Sequence, residues 1–273
     1  MAFLECRFFS EALGVSVTAN VLLPQQTTAQ IGLKGVADSD GAPVLYLLHG
    51  LSDDESIWLR RTSIERYATQ YGLAVIMPDG GRSYYADMFH GGKYWTYLSE
   101  ELPRVMQSFF RFSTKREDTF AAGLSMGGYG AMKLALHCPD KFAAAASLSG
   151  ALDPLHLLEF MPTRKDEFEC MFGDLNQFRG SFNDLFAQAE KRAAEKCSLP
   201  KLFLTCGTED SLYCETIAFR DHLQKLGSPV TYDECKGTHD WGLWDRKIQE
   251  VIRWLPRRKK SSCRKNDGRM TDK

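Results

Sequence analysis

Between Glu117 and Leu136 a strand-like run, a serine between two glycines and a helix-like run follow one another. No other stretch restricts the fold of the chain as tightly. Glu117 to Ala122 reads as a short strand, Gly123-Leu124-Ser125-Met126-Gly127 follows, and Ala131 to Leu136 reads as a helix. To pass from strand to helix over so few residues, the backbone turns sharply and Ser125 takes a strained conformation. Side chains at 123 and 127 would collide there, which is why both are glycine. The turn holds the Ser125 hydroxyl clear of the sheet, above a helix N-terminus that favours developing negative charge. Strand, glycine-flanked serine and helix, in that order, are the context of a nucleophile elbow.

The rest of the chain supplies a sheet to carry such a turn. Phe3 to Phe9 and Val15 to Leu23 alternate partly and are rich in aromatic and β-branched residues, with a hairpin over Glu11 to Gly14. Gln25 to Gly41 reads as a surface loop. Pro43 to Leu48, Leu73 to Met77, Ala143 to Leu148 and Lys201 to Thr205 are continuous apolar runs, which suit strands covered on both faces. Val230 to Glu234 is a further strand. Helical periodicity falls between them at Thr62–Tyr71, Leu98–Phe110, Met126–His137, Glu215–Leu226 and Asp245–Leu255. The expectation is one α/β domain over residues 1–256, a mostly parallel sheet with helices on both faces. Residues 153–197 carry no convincing strand and read as an inserted helical cap. Residues 257–273 are basic, nearly devoid of apolar side chains, and read as a disordered tail.

A serine hydroxyl needs a base to take its proton, and the base needs a carboxylate to hold its tautomer. On a sheet of this kind the order along the chain is serine, acid, histidine. Of six histidines, His49 and His90 precede the serine, His137 and His222 fall on helices, and His156 lies in the insertion. His239 follows the last strand, in the loop Lys236-Gly237-Thr238-His239, and is the preferred base. Asp210 is the preferred acid, with Glu209 its near rival and Asp240 behind them; Asp233 and Glu234 read as structural. The oxyanion requires two amide donors. Met126 supplies one, and Leu51, with Gly50 as the fallback, the other. Trp58, Tyr94, Trp95, Tyr213 and Trp241 flank strand ends or loops, where they either pack or line a pocket.

The formal net charge is −1, which offers no electrostatic case for nucleic acid or an anionic surface. No apolar run is long enough to span a bilayer. The first residues lack a signal-peptide layout, and eight cysteines occur without any C-x-x-C pair. A cytoplasmic protein with reduced, mostly buried thiols is expected.

With these residues assembled, the chain resembles the esterase D-type branch of the α/β-hydrolases and is most similar to bacterial tributyrin esterases. The likeness is carried by Val44 to Gly50, Ala122 to Gly130, Cys206 to Tyr213 and Gly237 to Trp241, with Glu100 to Pro103 and the helix ending Trp254-Leu255-Pro256. It runs to Pro256 and is weakest over 153–197. It implies Ser125, Asp210 and His239 as a catalytic triad, Leu51 and Met126 as oxyanion donors, and hydrolysis of short acyl esters, acetyl to butyryl, without metal or organic cofactor. The implied partner is a small-molecule ester, and homo-oligomers are common in the branch. The same branch holds S-formylglutathione hydrolases, feruloyl esterases and carbohydrate acetylesterases. S-formylglutathione hydrolases usually carry a Cys soon after the His-Gly turn, and Leu51-Ser52-Asp53-Asp54 has none. An acyltransferase would use the same acyl-enzyme. The intact Ser, Asp and His set speaks against a non-catalytic binding protein.

Overall fold

The computed structural model describes residues 1–38 and 41–256. Eight strands, β1 (Ala2–Ser10), β2 (Val15–Leu23), β3 (Val44–Leu48), β4 (Ala74–Pro78), β5 (Thr119–Leu124), β6 (Ala144–Leu148), β7 (Lys201–Gly207) and β8 (Val230–Cys235), form one sheet in the order β1-β2-β4-β3-β5-β6-β7-β8. The first two strands form an antiparallel hairpin, and β2 is antiparallel to β4. From β4 through β3 to β8 every pairing is parallel. The connections carry helices α1 (Ile57–Arg61), α2 (Ile64–Thr69), α3 (Tyr94–Thr96), α4 (Leu102–Phe109), α5 (Met126–His137), α6 (Pro154–Phe160), α7 (Lys165–Phe172), α8 (Leu185–Ala194), α9 (Tyr213–Lys225) and α10 (Trp241–Trp254). A wide helical turn over Tyr97–Glu101 joins α3 to α4.

The continuous apolar runs have the predicted cause. Along β3, Leu45 and Leu47 pack with Ile57, Trp58, Ile64 and Ile248 on the face covered by α1, α2 and α10. Val44, Tyr46 and Leu48 pack on the other face with Leu102, Met132, Leu136 and their neighbours from α4 and α5. All five residues of β3, β4 and β6 are buried. At roughly 25 cal/mol per Å² of apolar surface removed from water, this two-sided burial is the main stabilising term of the fold.

Some boundaries move. The strand expected at Glu117 to Ala122 runs instead over Thr119–Leu124, because Arg116–Asp118 forms a tight helical turn. The strand therefore ends directly at Ser125. The last helix begins at Trp241, four residues before the expected start, because the Asp240 side chain caps it by accepting from Leu243 N–H at 3.0 Å. Between β6 and β7, residues 153–197 contain α6, α7 and α8 and no strand. The basic stretch 257–273 lies outside the described residues. Of the described cysteines, all free thiols, only Cys138 and Cys206 are buried, whereas Cys170 and Cys214 are exposed, so the expectation of mostly buried thiols is corrected. Among the described residues no helix is long and apolar enough to cross a membrane.

The parallel register sets the site. Leu48 pairs with Gly123, Leu124 with Leu148, Leu148 with Thr205, and Gly207 with Cys235. The C-terminal ends of five neighbouring strands are thus level, and the segments that follow them emerge along one edge of the sheet. In open α/β sheets that edge is where ligands bind.

Candidate active site

Ser125 leaves β5 with φ +52° and ψ −120°, a conformation that L side chains rarely adopt. Its N–H donates to the Leu148 carbonyl at 3.0 Å, and its own carbonyl accepts from Ala151 at 3.1 Å, so neighbouring β6 and its exit loop hold the strain in place. A side chain at Gly123 would overlap the Gly127 carbonyl, and one at Gly127 would overlap the Leu48 carbonyl. The two glycines that flank the serine therefore meet the close approach the sequence predicts. Helix α5 starts immediately after, at Met126.

His239 sits in the loop between β8 and α10. Its Nδ1 lies 3.0 Å from both carboxylate oxygens of Asp210, which follows β7. Ser125 and His239 line one cavity of about 450 Å³. The rival carboxylates turn elsewhere. Glu209 faces Lys236 at 3.6 Å on the surface, and Asp240 caps α10. Asp233 pairs with Lys247, and Glu234 accepts from the Tyr213 and Tyr232 hydroxyls, as expected of structural groups.

Asp210 is buried, and burial alone would raise its pKa. The His239 ring, the Leu212 N–H at 2.9 Å and the Ser149 hydroxyl outweigh that effect and hold the carboxyl below its ordinary range. Ser149, directly after β6, is not among the candidate residues legible in the sequence. It is fully buried, has φ +48°, and accepts from Trp244 Nε1 at 3.1 Å, which leaves its proton for Asp210. A serine ending the strand beside the nucleophile strand was the available signal.

The segment after β3 is built around His49. This buried ring has Nδ1 at 2.7 Å from the Gly50 carbonyl, while Nε2 accepts from Gly80 N–H at 2.8 Å. The second bond makes Nδ1 the protonated nitrogen. A trans peptide points its N–H opposite to its carbonyl, so anchoring the Gly50 carbonyl orients the Leu51 amide. The Leu51 carbonyl is held in turn by Arg82 at 3.3 Å. Gly50 N–H, the fallback donor, is engaged by the Asp53 carboxylate at 3.3 Å.

The expected pocket aromatics divide. Trp241 lines the cavity with Trp244. The other four do not line it. Trp58 is fully buried beneath, its Nε1 donating to the Leu48 carbonyl at 3.0 Å and its ring edge-on to Trp241. Trp95 packs on His137 and Phe182. Tyr213 donates to Glu234 on the surface at 2.7 Å. Tyr94 likewise stands outside the lining. In their place the cavity takes Tyr84 from the β4 exit segment and Leu157, Met161 and Arg164 from the helical insertion. Periodicity offered no signal for these four, since the folded insertion brings three of them to Ser125 and the irregular segment after β4 brings Tyr84. Among the described residues no cluster of His, Cys, Asp or Glu is assembled to hold a metal ion.

A family model described as putative esterase matches residues 10–255. An acetyl esterase of Caldicellulosiruptor saccharolyticus is 33% identical over 263 residues, 93% of this chain and 98% of the relative. The fluorophosphonate-binding serine hydrolase F (FphF) of Staphylococcus aureus, solved with substrate bound, is 36% identical with a TM-score of 0.84, covering 94% of this chain and 99% of its own. The S-formylglutathione hydrolase (FrmB) of Staphylococcus aureus is 36% identical with a TM-score of 0.81, over 93% and 98% of the two chains. The chain belongs to the esterase family, as a carboxylic ester hydrolase of the α/β-hydrolase fold and esterase D type.

Proposed function

We propose that this ester hydrolase cleaves short acyl esters, acetyl to butyryl, through an acyl-enzyme on Ser125, with His239 as base and Asp210 as its carboxylate. The observation that carries the reading is the His239–Asp210 contact at 3.0 Å on the same cavity as the strained Ser125. With Nδ1 donating to Asp210, Nε2 is the free base of the ring. It takes the Ser125 proton as Oγ bonds to the ester carbonyl carbon. The amides of Met126 and Leu51 receive the resulting oxyanion; each such donor is worth on the order of 3 kcal/mol in the transition state. The protonated ring then gives its proton to the leaving alkoxide as the C–O bond breaks. A water, deprotonated by the same nitrogen, releases the acid and restores Ser125.

The preference for short acyl groups rests on the cavity walls. Trp241, Trp244, Tyr84 and Leu157 enclose the modest volume around Ser125. We assign residues 153–197 the role of a cap that selects the alcohol portion, because Leu157, Met161 and Arg164 all come from it. A cytoplasmic location belongs to the same proposal and rests on the cysteine usage of the sequence.

A thioester reading draws on the Staphylococcus aureus relative named S-formylglutathione hydrolase. The chemistry would be the same with a thiolate leaving group. Turnover of p-nitrophenyl esters of increasing acyl length beside S-formylglutathione, acetylated sugars and methyl ferulate separates these substrates. The Ser125→Ala protein should be folded, unlabelled by a fluorophosphonate and inactive on p-nitrophenyl acetate. Undiminished turnover by that variant would overturn the assignment, and a preference for octanoyl over acetyl esters would overturn the acyl range.

A further inference from the structure

The outermost strand of the sheet is not used by any of the chemistry above, and its sequence has a symmetry of its own. Read from either end, Phe3-Leu4-Glu5-Cys6-Arg7-Phe8-Phe9 places aromatic or apolar residues at its outer positions, opposite charges either side of the centre, and Cys6 at the centre. Among the described residues, β1 closes the sheet and is hydrogen-bonded on one side alone, to β2, through nine consecutive pairs without a bulge. Native proteins seldom leave so long and regular an edge open, because its free N–H and C=O groups are a template for another strand.

The backbone phase of that edge follows from two bonds. Gly14 N–H donates to the Ser10 carbonyl at 2.8 Å, so the Ser10 backbone faces the hairpin interior. Asp79 N–H donates to the Thr18 carbonyl at 3.2 Å, so Thr18 faces β4, and Arg7, its partner across the hairpin, faces away from β2. With alternation along a strand, Phe3, Glu5, Arg7 and Phe9 direct their backbone groups to the open edge. Their side chains share the solvent face, where Phe3 is 53% and Phe9 55% exposed. Arg7 and Glu5 already touch at 2.6 Å within the chain.

We infer that β1 pairs antiparallel with β1 of a second copy of this chain about a two-fold axis at Cys6, joining the two sheets into one. In that register Glu5 stands opposite Arg7 of its mate, and Phe3 opposite Phe9. All these residues belong to the outward-facing set, so each pair exchanges both of its N–H···O bonds. The charges form a ring of alternating sign and the phenylalanines form two cross-strand aromatic pairs, the kinds of pair that stabilise a sheet. An isologous contact requires a self-complementary surface, and this strand is one. A shift of the pairing by one residue would set outward-facing groups against inward-facing ones. A shift by two would remove the Glu5–Arg7 matches. Cys6 falls on the axis as a non-hydrogen-bonded pair with Cα atoms about 4.5 Å apart, within reach of a disulfide.

Sedimentation velocity on the full chain tests the pairing, with p-nitrophenyl acetate turnover as the check on folding. The wild-type chain should be dimeric at micromolar concentration. Arg7→Glu should raise the dissociation constant at least tenfold with turnover unchanged. The double exchange of Glu5→Arg with Arg7→Glu should restore the dimer. Copper phenanthroline, an oxidant that takes two electrons and two protons from a thiol pair, should give a covalent dimer that Cys6→Ser abolishes. A monomeric wild type overturns the inference. So does a dimer indifferent to Arg7→Glu, or one whose cross-linking survives Cys6→Ser.

Discussion

The indole N–H of Trp244 donates to the Ser149 hydroxyl at 3.1 Å, and the same hydroxyl is a hydrogen-bond partner of the Asp210 carboxylate. With its oxygen so engaged, Ser149 gives its proton to Asp210, beside the leucine amide that binds the same carboxylate. The His239 ring is the main influence that holds Asp210 ionised against burial, and these two donors add to it. Removing the hydroxyl should weaken that arrangement without touching the cavity wall. Hydrogen bonds to charged groups contribute about 1.5–3 kcal/mol. Ser149→Ala should therefore lower kcat on p-nitrophenyl acetate roughly 10- to 100-fold with little change in KM. Fluorophosphonate labelling of Ser125 should persist but slow in parallel. An unchanged kcat would show that Asp210 needs no support from Ser149.

Trp241 and Trp95 should respond differently to truncation. Trp241 lies edge-on to both Trp58 and Trp244, each at 5.2 Å, and lines the cavity. Trp241→Ala should shift the butyryl-to-acetyl ratio of kcat/KM by roughly fivefold or more, since a methylene in an apolar pocket is worth about 1–3 kcal/mol. Trp95→Ala should lower Tm and leave that ratio within about twofold. Parallel rate measurements with the two esters check both variants.

At Gly127 even one methyl group is too many, because its Cβ would overlap the Leu48 carbonyl. Overpacking of this kind costs about 1–3 kcal/mol or more. Gly127→Ala should lower Tm by roughly 2–12 °C, on the usual scaling for a chain of this size. A calorimetric Tm equal to wild type would contradict the close approach.

Lys133 predicts a pH effect on stability. It is fully buried in α5, its Nζ donates to the Tyr85 carbonyl at 3.1 Å and to Asn183 Oδ1 at 2.7 Å, and burial pulls its pKa down to about 7. In the unfolded chain the pKa returns to about 10.4. Between these values the unfolded state holds a proton that the folded state does not, so raising the pH stabilises the fold. Below pH 7 both states are charged and the dependence vanishes. Denaturation midpoints should therefore rise from pH 7 to 9.5 in the wild type relative to Lys133→Met. Parallel midpoints for the two proteins across that range would refute the shift.

Legibility in the sequence followed the range of the interactions. Ser125 was readable because strand, glycines and helix are contiguous and the strain is local. The parallel sheet was readable because burial on both faces leaves unbroken apolar runs at β3, β4 and β6. The aromatic positions were not. Trp58, Trp95, Tyr213 and Trp241 flank strand ends or loops in the sequence, and where each ring points depends on the surfaces that meet it.

What the sequence determined by itself was the order of elements and the chemical groups at the strand ends: serine, carboxylates, histidine and a His-Gly turn. Period and turn chemistry are properties of neighbouring residues, so they survive without coordinates. Tertiary structure alone set Asp210, and not Glu209, against His239, because one step around a turn reverses a side chain and His239 lies in the loop after another strand. It also showed Gly50 N–H tied to Asp53, leaving the Leu51 amide oriented by His49. Ser149 gained its place from Trp244, 95 residues further along the chain. Contacts over such distances exist only once the core has closed and fixed the strand ends beside one another.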